Sequence, residues 1–100
     1  MTKFVTTKQT KPTNILIVED ERAVARDLQY WLEGLGYQVV AIAGSSTEAL
    51  DYVATLQPNL VLMDIVLEDS DQDGIDTARQ IRDRFAIPVI FLTAHATPSV

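Results

Sequence analysis

The stretch LVLMD, Leu60–Asp64, decides the fold, because four apolar residues run directly into one carboxylate. A short run this apolar, without alternation, is typical of a strand that is buried on both faces of a sheet. Working outward, NILIV at Asn14–Val18 and IPVIFLT at Ile87–Thr93 have the same character. YQVVAIA at Tyr37–Ala43 is also rich in β-branched residues. We therefore predict four strands.

The segments between these strands carry apolar residues three or four positions apart, which is the spacing of one helix face. Trp31 is expected at the margin of the first apolar stripe, and Ser45 with Glu48 forms a capping box for the second helix. Strands that alternate with helices over short links predict a doubly wound α/β fold, in which helices cover both faces of a parallel sheet. The residues predicted to be buried on the three helices are Val24, Leu28, Leu32 and Leu35; Ala49, Leu50, Val53 and Leu56; and Ile75, Ala78, Ile81 and Phe85.

Composition excludes several classes of protein and site. With 100 residues the chain suits one domain, and it has no cysteine for disulfides or thiolate metal sites. A single histidine, His95, excludes a zinc site built from several histidines. No apolar run is long enough to cross a membrane, and the first residues lack the apolar core of a secretory signal. A cytoplasmic protein is therefore the default expectation.

The net charge of −6 is unevenly distributed. All three lysines, Lys3, Lys8 and Lys11, precede the first acidic residue, so residues 1–13 are predicted to be a flexible basic leader. Residues 14–100 hold all 14 acidic residues and are predicted to form the folded domain. Because this domain is strongly acidic, we do not expect it to bind nucleic acid directly.

The carboxyl ends of the strands are where open parallel sheets bind ligands. Carboxylates that meet there repel one another unless a cation is present, and two or three of them with open water positions suit Mg²⁺. Asp64 is then a candidate nucleophile in aspartyl-phosphate chemistry, and the Thr93 hydroxyl a candidate donor to a phosphoryl oxygen. The polar residues that follow the first, third and fourth strands are Glu19, Asp20 and Glu21; Asp64; and Thr93 and His95.

Four motifs taken together resemble the receiver domain of two-component response regulators. They are ILIVEDE, LVLMDIVL, DGID and IPVIFLTAHA, and the resemblance runs from Asn14 to Val100 in register with every predicted strand. The resemblance implies a flavodoxin-like receiver fold, with four of the usual five strands present in this sequence.

The resemblance also implies a role for each matching residue. Asp64 would be the phosphoacceptor, taking a phosphoryl group from a histidine kinase or a phosphotransfer protein. Glu19, Asp20 and Asp64 would hold Mg²⁺, and Asp20 is favoured over Glu19 as a direct ligand of the ion. The main-chain carbonyl of Val66 would complete the protein ligands. Thr93 would be the switch residue that turns toward the phosphoryl group. Such a domain signals by a conformational switch and is not an enzyme that turns over a substrate.

The acidic loop after the third strand allows an alternative. Asp69, Asp71 and Asp73 alternate before a glycine, as at the start of a calcium-binding EF-hand loop. Counted from Asp69, however, the twelfth position is Gln80, where that loop needs a bidentate glutamate. We favour a solvated connection, with structural calcium as the minor alternative.

The family's fifth strand, which carries a lysine, and its fifth helix have no counterpart before Val100. We therefore expect a C-terminally incomplete receiver domain, whose exposed fourth strand favours self-association. The missing lysine also favours a rival, a non-phosphorylatable pseudo-receiver that acts as a protein-interaction module. A second rival, a magnesium-dependent phosphohydrolase, would need an aspartate at the position that Glu19 occupies.

Overall fold

The structure, a computed structural model, describes residues 12–64 and 74–92. Strands and helices alternate along these residues, as the sequence predicts. The strand β2 begins one residue later than predicted, and β4 begins two residues later. The elements are β1 (Asn14–Val18), α1 (Arg22–Gly34), β2 (Gln38–Ala43), α2 (Ser46–Leu56), β3 (Leu60–Asp64), α3 (Gly74–Phe85) and β4 (Val89–Leu92).

The four strands form one parallel sheet in the order β2-β1-β3-β4. The chain leaves β1 toward β2 on one side and returns to β3 on the other, so the strand order switches beside β1. Two hydrogen bonds fasten the amino ends of the central strands: Asn59 donates from its backbone to the Asn14 carbonyl at 2.9 Å, and its side chain accepts from the Asn14 amide at 2.8 Å. The switch in strand order is where such sheets bind ligands.

Helices cover both faces of the sheet, which confirms the doubly wound fold. Alternate residues of each strand point to opposite faces. On one face, Ile15, Ile17 and Leu62 pack with Ala25 and Leu32 of α1. On the other face, α2 and α3 close a larger core, which comprises Leu16, Val18, Ala43, Ala49, Val53, Val61, Met63, Ala78, Ile81 and Ile87.

The predicted cap at the start of α2 is present. The Ser45 hydroxyl accepts a hydrogen bond from the Glu48 amide at 3.2 Å, and the Glu48 carboxylate accepts one from the Gly44 amide at 2.8 Å. The first bond satisfies a backbone donor that the first turn of a helix leaves without a partner, and the second ties Gly44, the residue before the cap, to the same turn. At the other end of α2, Gln57 adopts a left-handed conformation and ends the helix before Pro58.

Three helix residues predicted to be buried are exposed instead. Leu35, Leu56 and Ile75 are 60%, 42% and 49% exposed, and Trp31, expected at the margin of a stripe, is 64% exposed. Leu35 lies beyond the last residue of α1, Leu56 ends α2, and Ile75 is the second residue of α3. The apolar spacing thus continues past the part of each helix that packs on the sheet. No helix among the described residues is long and apolar enough to span a membrane.

Candidate functional site

Three of the predicted site residues come together at the carboxyl edge of the sheet. Strands β1 and β3 are paired neighbours, so the residues that follow β1 face the last residue of β3. Glu19, Asp20 and Asp64 each place one carboxylate oxygen within 4.8 Å of the others. Within 12–64 and 74–92, these are the residues that form such a group of acidic or histidine side chains.

Two of the three carboxylates are almost fully buried, since Glu19 is 3% exposed and Asp64 is 2% exposed, while Asp20 is partly exposed. The backbone amide of Glu19 donates to the Ala43 carbonyl at 2.9 Å, which fixes the turn after β1 against the end of β2. The Glu19 oxygen Oε2 accepts a hydrogen bond from the Glu21 amide at 3.1 Å. Its second oxygen, Oε1, is buried and accepts no hydrogen bond from the described residues. A buried carboxylate oxygen without a donor is costly unless a proton or a cation reaches it.

The electrostatics of the cluster also favour a proton or a cation at Glu19. Burial raises the pKa of Glu19 above its ordinary value of 4.5, while the hydrogen bond from the Glu21 amide partly lowers it. The negative charges of Asp64 and Asp20 raise the pKa of Glu19 further. The cluster therefore favours a bound positive charge when all three groups are ionised.

This donor set fits the magnesium ion that the sequence predicts. All three side chains offer hard carboxylate oxygens, which Mg²⁺ prefers, and the partly exposed Asp20 leaves a side open for water ligands. The oxygen of Glu19 that accepts no hydrogen bond from the described residues belongs to this set and suits coordination to a cation. The cluster can therefore hold a hard divalent cation beside the Asp64 carboxylate.

Other predicted site residues lie outside the described residues. Val66, Thr93 and the alternating acids Asp69, Asp71 and Asp73 are among these, so their roles stay predictions. Gln80, the twelfth position of the EF-hand alternative, is described, and it lies within α3. Because α3 begins at Gly74, positions that an EF-hand would use as loop are helical, which argues against that alternative.

A buried pair of hydroxyl groups was not foreseen from the sequence. Ser46, the first residue of α2, and Thr77, in the first turn of α3, place their side-chain oxygens 2.6 Å apart. Both residues are buried. The burial of Thr77 could have been predicted, because Thr77 stands four positions before Ile81 and so lies on the face of α3 that packs against the core. The partner of Thr77, however, lies on another helix and depends on how the helices meet.

Comparison with known proteins identifies relatives of this chain. Residues 15–100 match the family model described as response regulator receiver domain. The phyllosphere-induced regulator PhyR of Methylorubrum extorquens is 42% identical over 84 residues, which are 83% of this chain and 31% of that protein.

Solved structures give the same relationship. The response regulator PhyR from Brucella abortus aligns with a TM-score of 0.75 at 41% identity, over 81% of this chain and 33% of that chain. The anti-anti-sigma factor PhyR from Bartonella quintana, solved in complex with the anti-sigma factor NepR, aligns with a TM-score of 0.73 at 35% identity, over 89% of this chain and 37% of that chain. The chain thus spans about a third of the length of these relatives.

Proposed function

Because this chain belongs to the response regulator receiver domain family, we propose that it is a phosphoacceptor domain. In this proposal Asp64 takes a phosphoryl group from a histidine kinase or a phosphotransfer protein. The observation that carries the proposal is the cluster of three carboxylates at the end of β3, in which Asp64 is almost fully buried beside Glu19 and Asp20.

The chemistry follows from the position of Asp64. A carboxylate oxygen of Asp64 forms a bond to phosphorus while the bond from phosphorus to the donor histidine nitrogen breaks, and that nitrogen keeps the electron pair. Magnesium, when bound, supplies positive charge that offsets the charge of the phosphoryl oxygens. Glu19, Asp20 and Asp64 would hold the ion, together with the main-chain carbonyl of Val66. The same acids make the site repulsive to a phosphoryl group when no cation is present.

The switch completes the proposed mechanism. The Thr93 hydroxyl turns toward the phosphoryl group on Asp64 and donates a hydrogen bond to one of its oxygens. Such a contact exists in the modified state alone, so it can bias the domain between two conformations.

An intact mass measurement tests the phosphoacceptor role. The full chain is incubated with acetyl phosphate and Mg²⁺, and we expect a gain of one phosphoryl group that a chelator prevents. Asp64→Asn should show no gain, whereas Asp51→Asn, which removes an exposed carboxylate from α2, should behave like the parent. Modification that persists in Asp64→Asn would contradict the assignment of Asp64.

A second candidate function is a non-phosphorylatable module that acts through protein binding. Its protein-binding part is supported by the relative from Bartonella quintana, which was solved in complex with the anti-sigma factor NepR. In this second candidate we propose that the domain likewise binds a protein rather than nucleic acid. An unmodified parent chain in the mass measurement, with Mg²⁺ bound, would favour this second function over the first.

A further inference from the structure

The second half of α1 and the turn that follows it expose an unusual amount of aromatic and apolar surface. Tyr30 is 84% exposed, Trp31 64%, Leu35 60% and Tyr37 41%. We call these four residues the aromatic patch. Single exposed apolar residues are ordinary, but several within eight positions form a surface that commonly binds another segment.

Two open hollows flank the patch and share Tyr30 and Trp31 in their walls. One, of about 450 Å³, is also lined by Asp27, and the other, of about 440 Å³, is also lined by Glu33. No lysine or arginine of the described residues lines either hollow. An occupant of this surface should therefore combine apolar side chains with positive charge.

The end of α1 offers no positive charge of its own. The last turn of the helix contains no basic residue. Its Leu32 and Glu33 carbonyl groups accept hydrogen bonds from the backbone amides of Leu35, Gly36 and Tyr37. The negative charge beside the aromatic patch therefore comes from Asp27 and Glu33, which line the two hollows.

The first 11 residues of the N-terminal leader have the matching chemistry. Residues 1–11 contain every lysine of the chain, Lys3, Lys8 and Lys11, and no acidic residue, and they carry Phe4 and Val5 between two of those lysines. No other stretch of this sequence combines several lysines with apolar residues.

The leader is also attached beside the patch. The backbone amide of Gln38 donates to the Thr13 carbonyl at 2.9 Å, and Gln38 directly follows Tyr37 of the patch. Eleven residues reach at most about 36–40 Å when extended. The 13 residues of α1 span about 20 Å, so the leader can reach every residue of the patch.

We propose that residues 1–11 bind across the aromatic patch of the same chain. Phe4 and Val5 cover Tyr30 and Trp31, and the lysines lie near Asp27 and Glu33. The leader then occupies this face of α1, and another protein must displace it to bind there.

Fluorescence of Trp31 tests the proposal directly, because this is the single tryptophan of the chain. Acrylamide, a neutral quencher, reports how accessible the indole is. In the full chain, Phe4→Ser with Val5→Ser should increase quenching and shift the emission to the red. Lys3→Glu, Lys8→Glu and Lys11→Glu together should have the same effect, and added salt should weaken the protection in the parent.

A charge exchange provides the matched control. Adding Asp27→Lys and Glu33→Lys to the triple lysine variant should restore protection of Trp31. Adding Asp51→Lys and Asp83→Lys, which change exposed carboxylates on α2 and α3, should not restore it.

Three results would overturn the proposal. Quenching that is the same in the parent and in both leader variants would show that the leader does not cover Trp31. Protection that grows with protein concentration would assign the patch to a second copy of the chain. Equal restoration by both charge exchanges would show an effect of net charge rather than a contact.

Discussion

Glu19 combines features that stability alone would not select. Its carboxylate is buried, one of its oxygens accepts no hydrogen bond from the described residues, and two further carboxylates lie beside it. Residues that lower the stability of a fold in this way commonly belong to functional sites. In the proposed function, Glu19 lowers the stability of the metal-free fold and contributes to binding of the cation.

The pH dependence of Glu19→Gln follows from this arrangement. The folded chain raises the pKa of Glu19 above 4.5, so the proton binds more tightly to the folded state. The stability that this proton provides is complete below the unfolded pKa and is lost as the pH rises through the folded pKa. At pH 7, with a chelator, we expect Glu19→Gln to be more stable than the parent by roughly 0.5–2 kcal/mol.

Urea unfolding at several pH values checks this prediction. The difference between the two proteins should shrink as the pH falls from 7 toward the ordinary pKa of 4.5, because the parent then becomes protonated. Asp51→Asn, which neutralises an exposed carboxylate on α2, is the control and should change stability little. A difference between Glu19→Gln and the parent that does not vary with pH would contradict the prediction.

At the scale of the elements, the contact between α2 and α3 depends on a polar pair within an apolar core. Ser46 and Thr77 place their hydroxyl oxygens 2.6 Å apart while Ala49, Val53, Ala78 and Ile81 pack around the same interface. Such a bond specifies how two helices align, because apolar side chains alone tolerate small shifts. The pair therefore fixes how the start of α3 lies against the start of α2.

A double-mutant cycle measures this pair. Thr77→Val keeps the shape of the side chain but removes the partner of the buried Ser46 hydroxyl, so we expect a loss of about 1–3 kcal/mol in the free energy of unfolding. In the Thr77→Val variant, Ser46→Ala should lower the free energy of unfolding much less than it does in the parent chain. Thr55→Val, at an exposed position of α2, is the matched control and should change stability by less than about 0.5 kcal/mol. Strict additivity of Ser46→Ala and Thr77→Val would show that the two hydroxyl groups are not coupled.

For the molecule as a whole, β4 is the strand that contributes least to the core. In the part of the chain that the structure describes, β4 pairs with β3 alone, and Ile90 and Phe91 are 50% and 36% exposed. A strand edge with apolar side chains and few charges is a template for pairing with another chain. We therefore predict that this sequence of 100 residues self-associates through β4.

Sedimentation velocity over a range of concentrations tests this association. We expect the weight-average sedimentation coefficient of the parent to rise with concentration, and Ile90→Lys to reduce that rise because a lysine on an edge strand opposes pairing. Ile75→Lys introduces the same charge at a similarly exposed isoleucine, 49% exposed, at the start of α3, and should behave like the parent. A parent chain that stays monomeric at every concentration would rule out the edge as an interface.

Much of the fold and part of the site follow from the sequence by itself. Leu60–Asp64 is recognisable as a buried strand because its residues are apolar on both faces, and the alternation with helical spacing predicts the doubly wound sheet. Glu19, Asp20 and Asp64 could be placed at one edge because parallel strands all end on the same side. These features depend on short sequence patterns, on their order along the chain and on rules that hold for any parallel sheet, so none of them requires the packing of this particular chain.

Other features were decided by the tertiary structure. That Glu19 and Asp20 meet Asp64 depends on β1 lying next to β3, and the hydroxyl pair joins residues 31 positions apart on two helices. Trp31, Leu35, Leu56 and Ile75 follow the apolar spacing or lie beside it, yet they are exposed. The physical reason is that spacing reports which face of a helix is apolar, whereas burial requires another element to pack against that face.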